Sequence, residues 1–263
     1  VDRQARDQLR RAFVLHRRDF GNTSLILEVF AAEHGRVPLL AKGAKRGRSA
    51  AAALLQPFQP LFLAWTGRGE VHALVRSEPA GRAFALAGGA LYCGFYLNEL
   101  LVRLLGRGDP HPVLFAFYHA ALTDLAEGDD LERALRQFEL RLLQELGYAL
   151  ILDREADSGE PVSPRHRYLC IPDSGPRRAA AGEGGFSVAG ETLVRLAAGE
   201  PLTGEAAREA RELMRRLLAP HLGERPLKSR ELFRRWRGGG SPARGSGPEN
   251  GMQPRINADD REE

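Results

Sequence analysis

A chain of 263 residues, 43% hydrophobic and 27% charged, is long enough for one large core or two modest ones and too apolar to be disordered. Its 38 Lys+Arg and 34 Asp+Glu leave a net charge of +4, and its two cysteines exclude both a disulfide framework and a four-cysteine zinc site. The charge is uneven: residues 1–80 hold 13 basic and 7 acidic side chains, residues 81–237 hold 22 of each, and residues 238–263 hold 3 and 5, so the basic excess belongs to an N-terminal block and points to a polyanionic partner.

The first 80 residues read as short strands. Phe13-Val14-Leu15-His16 leads into Arg17, Arg18, Asp19 and a Gly21-Asn22 turn. Ser24 to Phe30 alternates Leu25, Leu27 and Val29 with Ser24, Ile26 and Glu28, the pattern of a half-buried strand. Arg36 to Ala41 follows the Glu33-His34-Gly35 turn, and Pro38 places that strand at an edge or bulge. After a basic loop come Leu61–Trp65, a turn at Thr66–Gly69, and Val71–Val75. Five short strands are most economically closed into an OB-type barrel, which leaves few exposed edges.

From about residue 82 the period becomes helical. Leu91, Phe95, Leu101, Leu104 and Leu105 mark a helix that stops at Gly106, and Asp109-Pro110 reads as the start of the next. Asp129 as N-cap with Glu132 forms a capping box for a helix carrying Leu131, Leu135, Phe138, Leu142 and Leu146, closed by Gly147. Residues 153–186 are rich in Gly, Pro, Ser and charge, with only a short apolar run at Tyr168–Ile171, and read as an extended insertion with a hairpin. Helices resume at 190–198 and from Thr203 to Gly223, and Ser229 caps a last one over Arg230–Arg237. The expected fold is α+β: an N-terminal five-stranded OB-type β-barrel over 1–80, an α-helical domain over 81–237, and a disordered tail over 238–263.

No catalytic constellation is visible. His111 and His119 are eight residues apart rather than the four that would share a helix face, and Gly43–Gly47 lacks phosphate-loop spacing. No enzyme, cofactor or metal site is expected. The first seven residues lack an apolar signal core, and the charge-free run Ala83–Asn98, 16 residues with three glycines, is too short to span a bilayer. The expected location is cytoplasmic.

The informative segment is Lys42-Gly43-Ala44-Lys45-Arg46-Gly47-Arg48-Ser49, with four cations on a glycine-jointed loop. Glycines let the backbone approach a phosphate chain, and Lys42, Lys45, Arg46 and Arg48, with Arg17, Arg18 and Arg36 in the same block, displace its counterions. A solvated loop that only aids solubility is the plain alternative. Phe13, Phe20, Phe30, Phe58, Phe62 and Trp65 are candidate base platforms. Phe30, Phe62 and Trp65 read better as core, whereas Phe20 sits at a turn. A second cluster, Lys228, Arg230, Arg234, Arg235 and Arg237, either extends the polyanion track or merely offsets the dipole of its helix. Charge cannot distinguish DNA from RNA, so an OB-fold RNA-binding accessory is an alternative, as is a protein-interaction scaffold.

Several segments resemble the RecO family of bacterial DNA repair proteins. They are Ala12–His16, Ser24-Leu25, Gly35-Arg36-Val37 through Ala41–Ala44, Leu55–Phe58, Tyr96–Leu101, Phe138–Leu140 with Leu146-Gly147-Tyr148, Ser158–Val162, and Pro226–Phe233. They run in collinear order over about residues 10–235. The resemblance implies a non-enzymatic mediator of recombinational repair that binds single- and double-stranded DNA and anneals strands. It also implies binding to the C-terminal tail of single-strand-binding protein (SSB) and, with RecR, loading of RecA; a monomer associated with the nucleoid is expected. Many members carry a four-cysteine zinc motif where this chain has only Cys170 within 153–186, so no zinc is expected here. The resemblance makes Arg136 the candidate cation for the SSB tail and Arg141 a second, with a helix-internal pair of Arg136 with Glu132 or Glu139 as the alternative.

Overall fold

The structure, a computed structural model, describes residues 8–45, 50–67, 69–128, 130–148, 151–171, 174–180 and 182–238. Five strands form a closed barrel: β1 (Arg10–Phe20), β2 (Ser24–Ala31), β3 (Gly35–Ala41), β4 (Leu61–Thr66) and β5 (His72–Pro79), in the order β1-β2-β3-β5-β4. Antiparallel hairpins join β1 to β2 and β2 to β3, with Phe13 opposite Phe30 and Val29 opposite Val37. Closure comes from β1 against β4, with Arg10 opposite Leu63, and from a short parallel seam of β3 on β5 at Leu39 and Leu40. Pro38 therefore lies where β3 has only β2 beside it, which a residue without an amide proton tolerates. Helix α1 (Ala50–Leu54) bridges β3 and β4. Val14, Leu27, Val29, Leu39, Leu55, Leu61 and Leu63 fill the barrel.

β2 is not half-buried as its alternation predicts. Its outer face is covered from Glu28 onward, because Phe30 packs on Phe115 with ring centroids 5.4 Å apart and Glu28 accepts a hydrogen bond from Arg107 at 2.7 Å. β1 is likewise buried on both faces over Ala12–His16. A register shift between Val14 and His16 accompanies this double burial.

Packing divides the chain into two compact units, residues 1–115 with 225–263 and residues 116–224. The first adds to the barrel α2 (Gly88–Leu104) and α7 (Lys228–Gly238), which packs on α2. Gly94 lets α2 approach Phe58 and Leu86 closely: a Cβ there would stand 2.9 Å from the Phe58 ring and 2.6 Å from Leu86. Helix α3 (Pro112–Glu127) begins at Pro112, not at the expected Asp109-Pro110. The preceding turn is tied to the barrel instead: Gly108 N–H donates to the Arg36 carbonyl at 3.0 Å, and a Cβ on Gly35 would stand 1.8 Å from the Asp109 carbonyl oxygen.

In the second unit α4 (Leu131–Glu145) is capped by Asp130, which accepts from the Arg133 N–H at 2.9 Å. The expected cap, Asp129, lies outside the described residues, and Glu132 reaches Arg211 at 2.6 Å. Gly147 ends the helix with a φ of +85°. The irregular region holds more order than a hairpin: β6 (Arg167–Ile171), β7 (Gly175–Arg178) and β8 (Val188–Ala189) form a sheet in the order β7-β6-β8. α5 (Gly190–Ala198) and α6 (Gly204–Leu222) follow, and Glu209 of α6 accepts from Arg167, Ala189 N–H and Thr192. Thr203 precedes α6 as expected, without a side-chain capping bond. Among the described residues no helix is long and apolar enough to cross a membrane. The tail from residue 239 lies outside the described residues, and Gly238 still belongs to α7.

Candidate nucleic-acid interface

The basic loop is stitched to the β1–β2 turn. Lys45 N–H donates to the Thr23 carbonyl at 2.9 Å, Gly43 N–H to Ser24 Oγ at 3.4 Å, and Lys45 Nζ lies 2.7 Å from Asp19 Oδ2. These links place exposed Lys42 and half-buried Lys45 beside a turn whose Phe20 is 51% exposed. The left-handed φ of +69° at Gly43 allows this fold-back. A shallow cleft of about 210 Å³, lined by Lys42, Ala44, Ala51, Leu74, Arg76 and Ser77, adjoins the loop. Arg46 and Arg48 lie outside the described residues.

The other cations of the basic block have different surroundings. Arg17 turns to α1 and donates to the Ala52 carbonyl at 2.9 Å; burial lowers its pKa, opposed by Asp19. It thereby satisfies a carbonyl that so short a helix leaves open. Arg36 lies 3.8 Å from Glu28, whose other oxygen takes Arg107 at 2.7 Å, so a carboxylate only 4% exposed carries two cations. Arg18, farther along β1, is exposed. Two of the seven block candidates are thus engaged in holding the barrel, three stand at its surface, and two lie outside the description.

Of the aromatic candidates, Phe13, Phe30, Phe58 and Trp65 are buried and Phe62 is half-buried. Trp65 already has the Arg10 guanidinium 4.4 Å from its ring and His34 edge-on at 5.3 Å. Phe20 alone among these six is exposed.

The C-terminal cluster is held by two neighbouring polar residues of α2 that periodicity does not single out. Asn98 Nδ2 donates to the Leu15 carbonyl of β1 at 2.9 Å. Glu99, 2% exposed, accepts from Lys228 N–H at 3.0 Å, Ser229 N–H at 2.9 Å and Ser229 Oγ at 2.6 Å. Ser229 thus does not cap α7 itself. The helix starts two residues earlier than expected, and its cap comes from the far-off Glu99, whose negative charge suits a helix N-terminus. The signal was present in the sequence: a carboxylate amid Leu97, Leu100 and Leu101 on a buried face needs a partner. Arg230 donates to Tyr96 Oη at 3.3 Å and Arg234 is exposed, while the side chain of Arg235 lies outside the description.

In the second unit, Arg136 is 7% exposed and forms an ion pair with Glu139, in which Nη2 donates to Oε1 at 3.1 Å and Nε lies 3.0 Å from Oε2 without the geometry of a hydrogen bond. Arg141 is exposed, with its guanidinium 4.6 Å from the Phe117 ring centre and 2.8 Å from Gln144 Oε1. No group of three or more His, Cys, Asp or Glu among the described residues is arranged to hold a metal ion.

Comparison with known proteins agrees along the whole core. Residues 7–82 match the family model described as Recombination protein O N terminal, and residues 86–231 match Recombination protein O C terminal. The DNA repair protein RecO of Methylococcus capsulatus is 52% identical over 223 residues, covering 85% of this chain and 91% of that protein. That of Nitrosospira multiformis is 46% identical over 236 residues, covering 89% and 97%, and that of Aromatoleum aromaticum 47% over 224 residues, covering 85% and 93%. With an OB-type barrel, helices beyond it, and both halves matched in order, the chain belongs to the RecO family and has a role in DNA repair and recombination.

Proposed function

We propose that this protein is a non-enzymatic, monomeric recombination mediator. It binds single- and double-stranded DNA, promotes annealing of complementary strands and, with RecR, helps load RecA onto DNA coated by SSB. The observation that carries the DNA-binding step is the basic loop tied to the β1–β2 turn, which sets Lys42 and Lys45 next to exposed Phe20. A single strand asks for this pairing of cations for its phosphates and an accessible aromatic face for its bases. Chemistry then consists of positioning: neutralising the phosphates of two strands lets their bases meet.

Recruitment of the SSB tail is the second part of the proposal. Arg141 supports it best, because an exposed guanidinium against Phe117 offers a cation and an apolar ring to an acidic peptide with an apolar end. Arg136, paired with Glu139, supports the same region by keeping α4 in shape rather than by meeting the peptide.

Salt titration of binding to labelled single-stranded DNA tests the reading. Ala at Lys42 and Lys45 should flatten the dependence of log K on log salt by roughly 0.7 for each lost phosphate contact. Phe20→Ala should weaken binding by roughly 1–3 kcal/mol without altering that slope, since stacking releases no ions. Unchanged slopes in the lysine variants would remove the loop from the site, and equal affinity for a matched RNA oligonucleotide would favour an RNA-binding accessory instead.

A further inference from the structure

We propose that Arg18 at the end of β1 and Lys228 at the start of α7 form one phosphate-binding surface, so that a single strand held at the barrel loop is also gripped by the C-terminal helix. The inference rests on the nucleic-acid reading above and extends it to a residue 210 positions away in sequence from the β1 cation.

The geometry converges from two directions on adjacent residues of α2. Asn98 holds the backbone of β1 at Leu15, three residues before Arg18. Glu99 holds the first turn of α7 at Lys228 and Ser229. Neighbouring residues of one helix thus hold the middle of β1, three residues before exposed Arg18, and the start of α7. His16 senses both: burial, then Arg18, then Lys228, lowers its pKa to about 4, so the two cations act on the same imidazole. A histidine held neutral between them adds no third positive charge at pH 7.

The helix end itself is not the binding element. Glu99 already accepts from its first amide donors, which leaves side-chain cations as the groups that meet a phosphate. Glu231 is the acidic residue of α7, and Asp19, next to Arg18, lies against Lys45. Arg18 is exposed on β1 and Lys228 opens α7, so one cation comes from each of the two basic runs. Two separated basic runs in the sequence become one surface because an Asn-Glu pair on α2 holds both.

The test uses the full chain and a labelled single-stranded oligonucleotide of mixed sequence, with affinity measured across salt concentration. Lys228→Ala keeps the backbone bonds to Glu99, so the helix stays docked and its thermal unfolding should match the parent. Arg18→Ala and Lys228→Ala should each flatten the salt slope by roughly 0.7, their combination by roughly twice that, and Lys228→Arg should restore it. Arg208→Ala, which removes an exposed cation from the second unit, should leave the slope unchanged. If Lys42→Ala flattens the slope and Lys228→Ala does not, the surface is overturned while the barrel reading stands. If neither does, the barrel reading itself fails. An equal effect from Arg208→Ala would mean that overall charge rather than this surface sets the slope, and would overturn the inference. Binding of an acidic peptide that competes with Lys228-dependent DNA binding but is insensitive to Arg18 would assign α7 to a protein partner and overturn it too.

Discussion

In residues 116–224 many arginines pair with carboxylates near the surface, whereas in the barrel unit Glu28 and Glu99 are buried while Asp19 and Glu78 pair with Lys45 and Arg76 at the surface. Glu212 takes both Arg215 and Arg216 at 2.6 Å, and the Arg215 guanidinium, ahead of Arg216, holds its carboxyl below the usual range. Glu132 takes Arg211, Glu209 takes Arg167, Glu155 takes Arg178, and Glu139 takes Arg136. In the barrel unit, Glu28 is buried under Arg36 and Arg107, and Glu99 is bonded to backbone N–H groups and a serine. Of the loop cations, Lys45 has a carboxylate partner in Asp19, and Asp19 itself is largely exposed. The difference teaches that the charge offered to a polyanion is set after folding. Whether a carboxylate ends buried under the fold or beside a surface cation matters as much as the sum of charges does.

The sharpest way to break this comparison is at Arg136. If it is part of a self-contained pair, Arg136→Ala leaves the Glu139 carboxylate buried alone and should cost about 3–5 kcal/mol in urea denaturation. The double variant Arg136→Met with Glu139→Leu should recover most of that. A single variant as stable as the parent would show that the pair is not the neutralising device described.

Next comes pH, which probes the barrel unit. His16 is neutral when folded, with its pKa lowered to about 4 by burial, Arg18 and Lys228, and in the unfolded chain it takes up a proton near pH 6.5. The unfolded state therefore binds more protons between these values, and stability is full above about pH 6.5 and falls as pH drops towards 4, by roughly 3 kcal/mol for this group. Comparing denaturation midpoints at pH 7 and pH 4.5 for the parent and His16→Gln should show this part of the acid sensitivity removed. An unchanged pH profile in the variant would mean that His16 is not the group responsible.

The smallest effect on stability is expected at Arg141. Its exposed stacking on Phe117 is worth roughly 0.5–1 kcal/mol, so Arg141→Ala should barely shift the unfolding midpoint. It should nonetheless weaken binding of an acidic SSB-tail peptide, measured by fluorescence anisotropy, while leaving binding of naked DNA intact. Loss of both activities would sink the idea that the two units bind separate ligands.

Much of the architecture was legible beforehand. Alternating apolar residues and turn glycines place the strands, and the spacing of Leu135, Phe138 and Leu142 places α4, because burial of one face leaves a periodic trace. Helix starts were less legible. Asp109-Pro110 has good capping chemistry, yet the barrel claims that turn through Gly35, Arg36 and Glu28. Ser229 looks like a cap, yet Glu99 outcompetes it because a buried carboxylate must find donors. Within the candidate site, the loop cations and Phe20 were readable as exposed turn residues. The engagement of Arg17 with Ala52, and of Arg36 with Glu28, was not.

By itself, then, the sequence determined the kinds of element, their order, the basic N-terminal block and the family resemblance, since all of these rest on residues close together in the chain or on their type. Only the tertiary structure decided which cations remain for a phosphate backbone and which are bound within the fold. It also bonded the backbone of Leu15 in β1 and of Lys228 in α7 to the adjacent residues Asn98 and Glu99. The physical reason is that hydrogen bonds and Coulomb attraction depend on distance through space, and a partner more than a hundred residues away leaves no local pattern for periodicity to reveal.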